Sequence, residues 1–190
     1  MFVLKNKYYF LIESIKDINL NDIKRFSKFS IIYRNFKNNE KKEDLLKFRK
    51  CCKAKAIDFY VANNFNLALN LGSDGIFLSS YNKSYKALFL KKKNFNIIGS
   101  AHSHKEIYEK INQGCGVILL SKLFPVSYDK DSPYLGVIKF NNYLNKNKKI
   151  IPLGGIHLNN LNKLNQINCN GFALMSEIKK KPAKIINRLF

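Results

Sequence analysis

Short apolar runs recur along the chain, each closed by a polar or small residue and followed by a stretch with apolar residues at helical spacing. Such runs, bounded by turn signals, read as strands buried on both faces. The first covers residues 8–12 (YYFLI), and the next ones 30–34 (SIIYR), 57–61 and 75–78. Four more follow at 96–99, 116–120, 150–153 and 171–175. Between them the spacing predicts a short helix over 21–28, with Asn21 or Asp22 near its cap and Ile23 and Phe26 facing inward. A basic amphipathic helix is expected over 39–54 around Leu45, Leu46, Phe48 and Cys52, with shorter ones over 65–71 and 84–91. Ser103 and Glu106 form an S-x-x-E box opening another, with Ile107 and Ile111 inside. A helix over 136–147 and helical patterns after the last two strands complete the series.

Strands alternating with helices imply a parallel sheet covered by helices. Eight such units close as a (β/α)8 barrel, an α/β fold of the TIM type, although 190 residues is short for one. A doubly wound open sheet is the alternative. GSDGIFL, GCGVILL and NCNGFALM repeat a glycine just before an apolar strand, at strands four, six and eight. No composition shift or linker divides residues 1–190, so one domain is expected.

Composition narrows the partners. A hydrophobic fraction of 46% excludes wholesale disorder. The net charge of +21 favours anionic partners: phosphorylated metabolites, nucleic acid or acidic surfaces. The lysines are scattered, however, and rise together with asparagine and isoleucine, as an A/T-rich coding sequence would produce. The runs Lys91-Lys92-Lys93 and Lys179-Lys180-Lys181 read as solvated helix faces, and no nucleic-acid motif accompanies them. Nucleic acid is therefore not an expected partner. The cysteines, Cys51, Cys52, Cys115 and Cys169, form no C-x-x-C pair. The first residues carry no signal peptide, and no apolar run is long enough to span a membrane. A cytoplasmic protein without membrane attachment is expected, and a homo-oligomer is compatible with the sequence.

In a barrel of this kind the chemistry lies at the C-terminal ends of the strands. That rule selects Arg34, Asn63, Ser79, Ser80, Asn82, Ala101, His102, the segment 122–130, Gly154-Gly155 and Met175-Ser176. Two glycines leaving a buried strand let an anion approach bare backbone N–H groups, and the seventh and eighth loops often hold phosphate. The irregular stretch 121–135 is long for a compact domain, which favours a functional loop. Asp74 falls at the opposite end and is expected to shape the turn before strand four. His102 and His104 form an H-x-H without a convincing third ligand, so no metal site is assigned.

The joint spacing of IIGSAHS, LLSKLFPVS, IIPLGGI and GFALMS resembles the thiamine phosphate synthase/TenI family, from about Ser30 to Ser176. The resemblance implies a TIM barrel handling a thiazole phosphate. Synthases of this type join it to hydroxymethylpyrimidine diphosphate and release pyrophosphate, whereas TenI relatives include thiazole tautomerases. A non-catalytic binder of thiazole phosphate or thiamin phosphate is a further reading. Gly154, Gly155, Met175 and Ser176 match the thiazole-phosphate cradle, and Arg34 matches the basic residue facing the pyrimidine diphosphate. His102 lies in the G-x-S-x-H segment, with Ala101 replacing its serine. The Asn-Asp after strand three is here Ala62-Asn63, and the Gly-Gln-x-Asp after strand four is Ser79-Ser80-Tyr81-Asn82. Both magnesium-associated aspartates are thus amides. The P-T-x-T-K loop reads PVSYDK, with Ser127 within it and Lys130 one place late. Lys122 stands where the tautomerase branch has a histidine.

These matches make Arg34, Lys122 and Lys130 the candidate catalytic residues. Arg34, Asn63, Asn82, His102, Ser127, Gly154, Gly155, Met175 and Ser176 are the candidate substrate-binding residues. No cofactor follows from the residues, since magnesium favours carboxylates and would enter only with the substrate diphosphate. Lys122, Lys130, Lys83 and Arg34 would supply equivalent charge.

Overall fold

A computed structural model describes the chain except residues 1–4, 24–27, 36, 38–39, 92–94, 127–128, 130, 181 and 190. Eight strands occur among the described residues: β1 (Lys7–Ile12), β2 (Phe29–Tyr33), β3 (Asp58–Ala62), β4 (Gly75–Leu78), β5 (Asn96–Ala101), β6 (Val117–Leu120), β7 (Ile150–Pro152) and β8 (Gly171–Leu174). All pair in parallel, in the order β7-β6-β5-β4-β3-β2-β1-β8. β7 and β8 come together across the remaining gap, so the sheet curls into a barrel rather than an open doubly wound sheet. The outer layer comprises α1 (Lys42–Ala54), α2 (Phe65–Asn70), α3 (Lys86–Lys91), α4 (His104–Asn112), α5 (Gly136–Lys146), α6 (Ser176–Lys180) and α7 (Pro182–Arg188).

The near-continuous apolar strands are explained by two cores. Alternate residues point to opposite faces of a strand. Tyr9, Leu11, Ile32, Tyr60, Phe77, Ile98, Leu119, Ile151 and Ala173 fill the barrel interior. Their neighbours, among them Tyr8, Phe10, Phe29, Ile31, Phe59 and Phe172, pack outward under the helices. The rings of Tyr8, Phe29 and Phe172 meet at 5.2–5.3 Å across β2, β1 and β8, which ties the barrel's ends in sequence together.

The N-terminal end of the barrel is closed by ion pairs. Lys7 Nζ reaches Asp58 at 2.7 Å, and Arg49 of α1 reaches Asp74 at 2.8 Å. Asp74 also accepts from the Phe59 N–H at 2.7 Å, so it shapes the β3–β4 end as expected. The glycine echo is unequal. A Cβ on Gly75 or Gly171 would lie 2.1 or 2.0 Å from a neighbouring strand's carbonyl oxygen, whereas one on Gly116 would meet the Ile97 oxygen at an ordinary 4.0 Å.

Several expected elements differ. Of the helix expected over 21–28, residues 24–27 lie outside the described residues; before them the chain forms 3-10 turns at Ile15–Asp17 and Leu20–Asp22 and is extended at Ile23. Ser14 and Asn19 side chains cap these turns, which favours short turns over a propagated helix. Phe26 lies outside the described residues, while Ile23 is buried as expected. The segment after β7 is also 3-10, over Leu158–Gln166, where asparagines compete with the backbone ladder. The box at Ser103 is shifted: Ser103 caps the Glu106 N–H, but Glu106 accepts from His102 N–H at 2.7 Å. Ile111 is surface-exposed rather than inside.

Candidate functional site

A cavity of about 680 Å³ opens at the C-terminal ends of the strands. Arg34, His102, Lys122, Gly154, Gly155, Met175 and Ser176 line it together, although they span the chain from β2 to β8. Its floor is the top of the barrel core, including Leu11, Phe77 and Ala173.

The glycine pair is built by steric exclusion. Gly154 and Gly155 take φ +92° and +68°, the left-handed region that disfavours side chains. A Cβ on Gly155 would lie 2.4 Å from the Phe124 oxygen and 2.5 Å from that of Pro125. The pair is therefore wedged against the loop after β6. That loop is tied back by Leu123 N–H to Leu153 O at 2.9 Å and Phe124 N–H to Gly154 O at 3.1 Å. Asn160, which sequence reasoning missed, donates to Gly155 O at 2.7 Å and accepts from His157 N–H at 2.9 Å. The N–H groups of Gly154 and Gly155 donate to no acceptor among the described residues.

Charge is distributed unevenly around the rim. Lys122 Nζ is held by Asp129 at 2.7 Å and by Ser132, while its carbonyl accepts from Leu135 N–H at 2.9 Å. Lys122 thus anchors the 121–135 loop as well as lining the cavity. Its ammonium holds the Asp129 carboxyl below the ordinary aspartate range, helped by Ser132. Arg34 donates to the Met175 sulfur at 3.8 Å, bridging β2 and β8. His102 Nδ1 lies 3.1 Å from both the carbonyl and the hydroxyl of Ser121. His104 instead stacks on Tyr143 at 3.9 Å, so the H-x-H pair does not converge. Lys180 and His157, which were not selected from the sequence, also line the cavity. Both follow β7 or β8 beyond the first loop residues, where the strand-end rule did not reach.

Other expected residues fall elsewhere. Asn63 and Asn82 are not in the cavity wall; they hydrogen-bond each other at 3.0 Å in the loops after β3 and β4. Lys83 turns outward to pair with Glu109 of α4. Ser127 and Lys130 lie outside the described residues. The four cysteines are free, and burial pushes the Cys52 thiol up to about 12, which makes it a poor nucleophile.

The loop after β2 holds one further carboxylate. Glu40 accepts from Ser14 Oγ, from Ile15 N–H at 2.9 Å and from Tyr33 O–H at 2.5 Å. Burial pushes its carboxyl up, but the hydrogen bonds from Ser14, Tyr33, Ile15 and Asn35 outweigh it and hold it below the usual value. Burial and Glu40 together raise the Tyr33 hydroxyl. This network fixes the β1 and β2 ends beside Arg34.

A magnesium ion held by the protein does not fit these residues. Magnesium favours carboxylate oxygens. No group of three or more His, Cys, Asp or Glu that could hold a metal occurs among the described residues. The amides at positions 63 and 82 are engaged with each other and with Ser79.

A nearly closed parallel barrel with a largely apolar cavity at its C-terminal rim, edged by Arg34, Lys122 and Lys180, defines the class: a (β/α)8 barrel. Within that class the chain belongs to the thiamine monophosphate synthase family (TMP-TENI), whose model matches residues 25–178. It is 26% identical over 144 residues to a thiamine-phosphate synthase of Bacillus cereus, covering 72% of this chain. The aligned part spans 65% of that relative's length. The fold is similar to thiamine phosphate pyrophosphorylase from Pyrococcus furiosus, with a TM-score of 0.72, 17% identity and 97% of each chain covered. It also resembles KGPDC from Streptococcus mutans, with a TM-score of 0.63, 10% identity, and 99% and 100% of the two chains covered. No helix among the described residues is long and apolar enough to cross a membrane.

Proposed function

We propose that this chain is a thiamine-phosphate-synthase-like transferase that joins a thiazole phosphate to hydroxymethylpyrimidine diphosphate and releases pyrophosphate. The observation that carries the proposal is the convergence of Arg34, Lys122, Gly154, Gly155 and Ser176 on one cavity, in a chain of the synthase family. Two anionic reactants need a site with cations on one side and free backbone donors on another. Here the glycine pair with Ser176 would take the thiazole phosphate, and Arg34 with Lys122 and Lys180 would face the diphosphate.

The reaction is a displacement at the pyrimidine methylene. Its bond to the diphosphate oxygen breaks, the electron pair leaves with pyrophosphate, and the thiazole nitrogen bonds to the methylene carbon. The protein's task is to hold both reactants in line and to stabilise the leaving charge. Arg34 supplies a planar fork and the lysines supply point charges for that purpose. The tautomerase reading needs Lys122 as a proton shuttle, yet its ammonium is held by Asp129 and Ser132. The test is product formation from the two purified precursors. Turnover supports a synthase; binding of thiazole phosphate without turnover supports a non-catalytic binder; no binding of either precursor overturns both.

A further inference from the structure

Position 63 has φ +58°, a left-handed conformation that asparagine tolerates better than most residues. Its carboxamide is fully used. Oδ1 accepts from the Ser79 N–H and from Asn82 Nδ2, both at 3.0 Å. Nδ2 donates to Ser79 Oγ and to the Tyr81 hydroxyl, the latter at 3.1 Å. A primary amide has two acceptor sites and two donors, so Asn63 has none left for a ligand or a metal.

The polarity of those bonds matters. Ser79 and Tyr81 receive hydrogen bonds from Asn63, so their own protons are directed away from it. Both residues line the cavity. The loop that carries them is anchored from behind. Lys110 Nζ and Gln113 Nε2 donate to the Asn82 carbonyl at 2.7 and 2.9 Å, and Gln113 also reaches Ser84 O at 3.0 Å. Lys110 is fully buried, and its stem passes over Gly99, where a Cβ would come within 2.9 Å of Lys110 Cδ.

We propose that Asn63 is a positioning residue that aims the Ser79 and Tyr81 hydroxyl protons into the cavity, where they bind the phosphoryl oxygens of an organic diphosphate in place of a carboxylate-held metal. The proposal rests on the synthase reading and deepens it by making diphosphate capture independent of magnesium. An aspartate at position 63 would reverse the polarity. Its carboxylate can only accept, so both hydroxyls would turn toward it and away from the ligand.

The experiment titrates the full chain calorimetrically with hydroxymethylpyrimidine diphosphate and, separately, with thiazole phosphate. Each titration is run in magnesium and in chelator, on the parent chain, Tyr81→Phe and Asn63→Asp, with a thermal melt of each variant. The parent is expected to bind the diphosphate equally in magnesium and chelator. Tyr81→Phe should weaken the diphosphate about tenfold, the loss of one hydrogen bond to a charged group, and leave thiazole phosphate unchanged. Asn63→Asp should melt like the parent, lose at least as much diphosphate affinity in chelator, and regain it in magnesium. Parent binding abolished by chelator, an unaffected Tyr81→Phe, or parent-like Asn63→Asp each overturns the inference. If thiazole phosphate still binds in those cases, the synthase reading stands; if neither precursor binds the parent, both fall. Tyr81 is largely exposed, so its variant keeps the test intact even if Asn63→Asp fails to fold.

Discussion

The Asn160 side chain grips both sides of the turn after β7, donating to the Gly155 carbonyl at 2.7 Å and accepting from the His157 N–H at 2.9 Å. One buried amide thereby sets the path of the glycine pair. Asn160→Ala removes both bonds and leaves a polar group short of a partner, a cost of about 1–3 kcal/mol. The expected outcome is a lower melting temperature together with roughly tenfold weaker binding of thiazole phosphate. Thermal melts and calorimetry on the same samples check it.

Gly155 and Gly72 separate backbone strain from steric exclusion. Both have positive φ, +68° and +56°, yet a Cβ meets the Phe124 oxygen at 2.4 Å in the first case and nothing within 4 Å in the second. Alanine at either position carries left-handed strain of about 1–2 kcal/mol. Gly155→Ala should cost at least about 1 kcal/mol more, because its neighbour is backbone and cannot swing aside. Urea denaturation of the two variants gives the difference; equal losses would refute the close packing of the β6 and β7 loops.

Glu40 makes the acid limb of stability testable. Its folded carboxyl titrates below the ordinary value of 4.5, so the unfolded chain binds more protons as pH falls. The Glu40 contribution is therefore complete above that value and is lost as pH drops through the folded pKa. Glu40→Gln should be less stable near neutral pH and show a shallower decline below about pH 4.5. Melting temperatures across an acid series measure it.

Lys122 is shared between the loop and the cavity. Its partner Asp129 is nearly half exposed, so solvent screening leaves the pair itself little weight in stability. Asp129→Asn should change the melting temperature little while removing a negative charge from the rim. Anion affinity is then expected to rise a few-fold at low salt, with the gain shrinking as salt screens it. Thiazole phosphate titrations at two ionic strengths decide this.

Much of the strand framework was legible because each strand is buried on both faces and interrupted by glycine or charge, as at Gly75 or Arg34. The 3-10 segments were not. The side chains of Ser14, Asn19 and Asn160 accept backbone N–H groups, and the apolar spacing alone does not reveal that. The S-I-K-D stretch at 14–17 carried the capping signal for one of them.

What the sequence determined was the alternation that closes into eight parallel strands, and hence which residues reach the rim. Period and burial are local properties, and strand ends follow from them. Only the tertiary structure decided what those residues do at the rim. Whether an amide faces a ligand or its neighbours depends on distances between strands far apart in the chain. Asn63 and Asn82 stood at strand ends like Arg34, but their amides turned to each other and to Ser79. His157 and Lys180 entered the site from positions that strand counting does not select, because a turn and a short helix carry them back over the barrel.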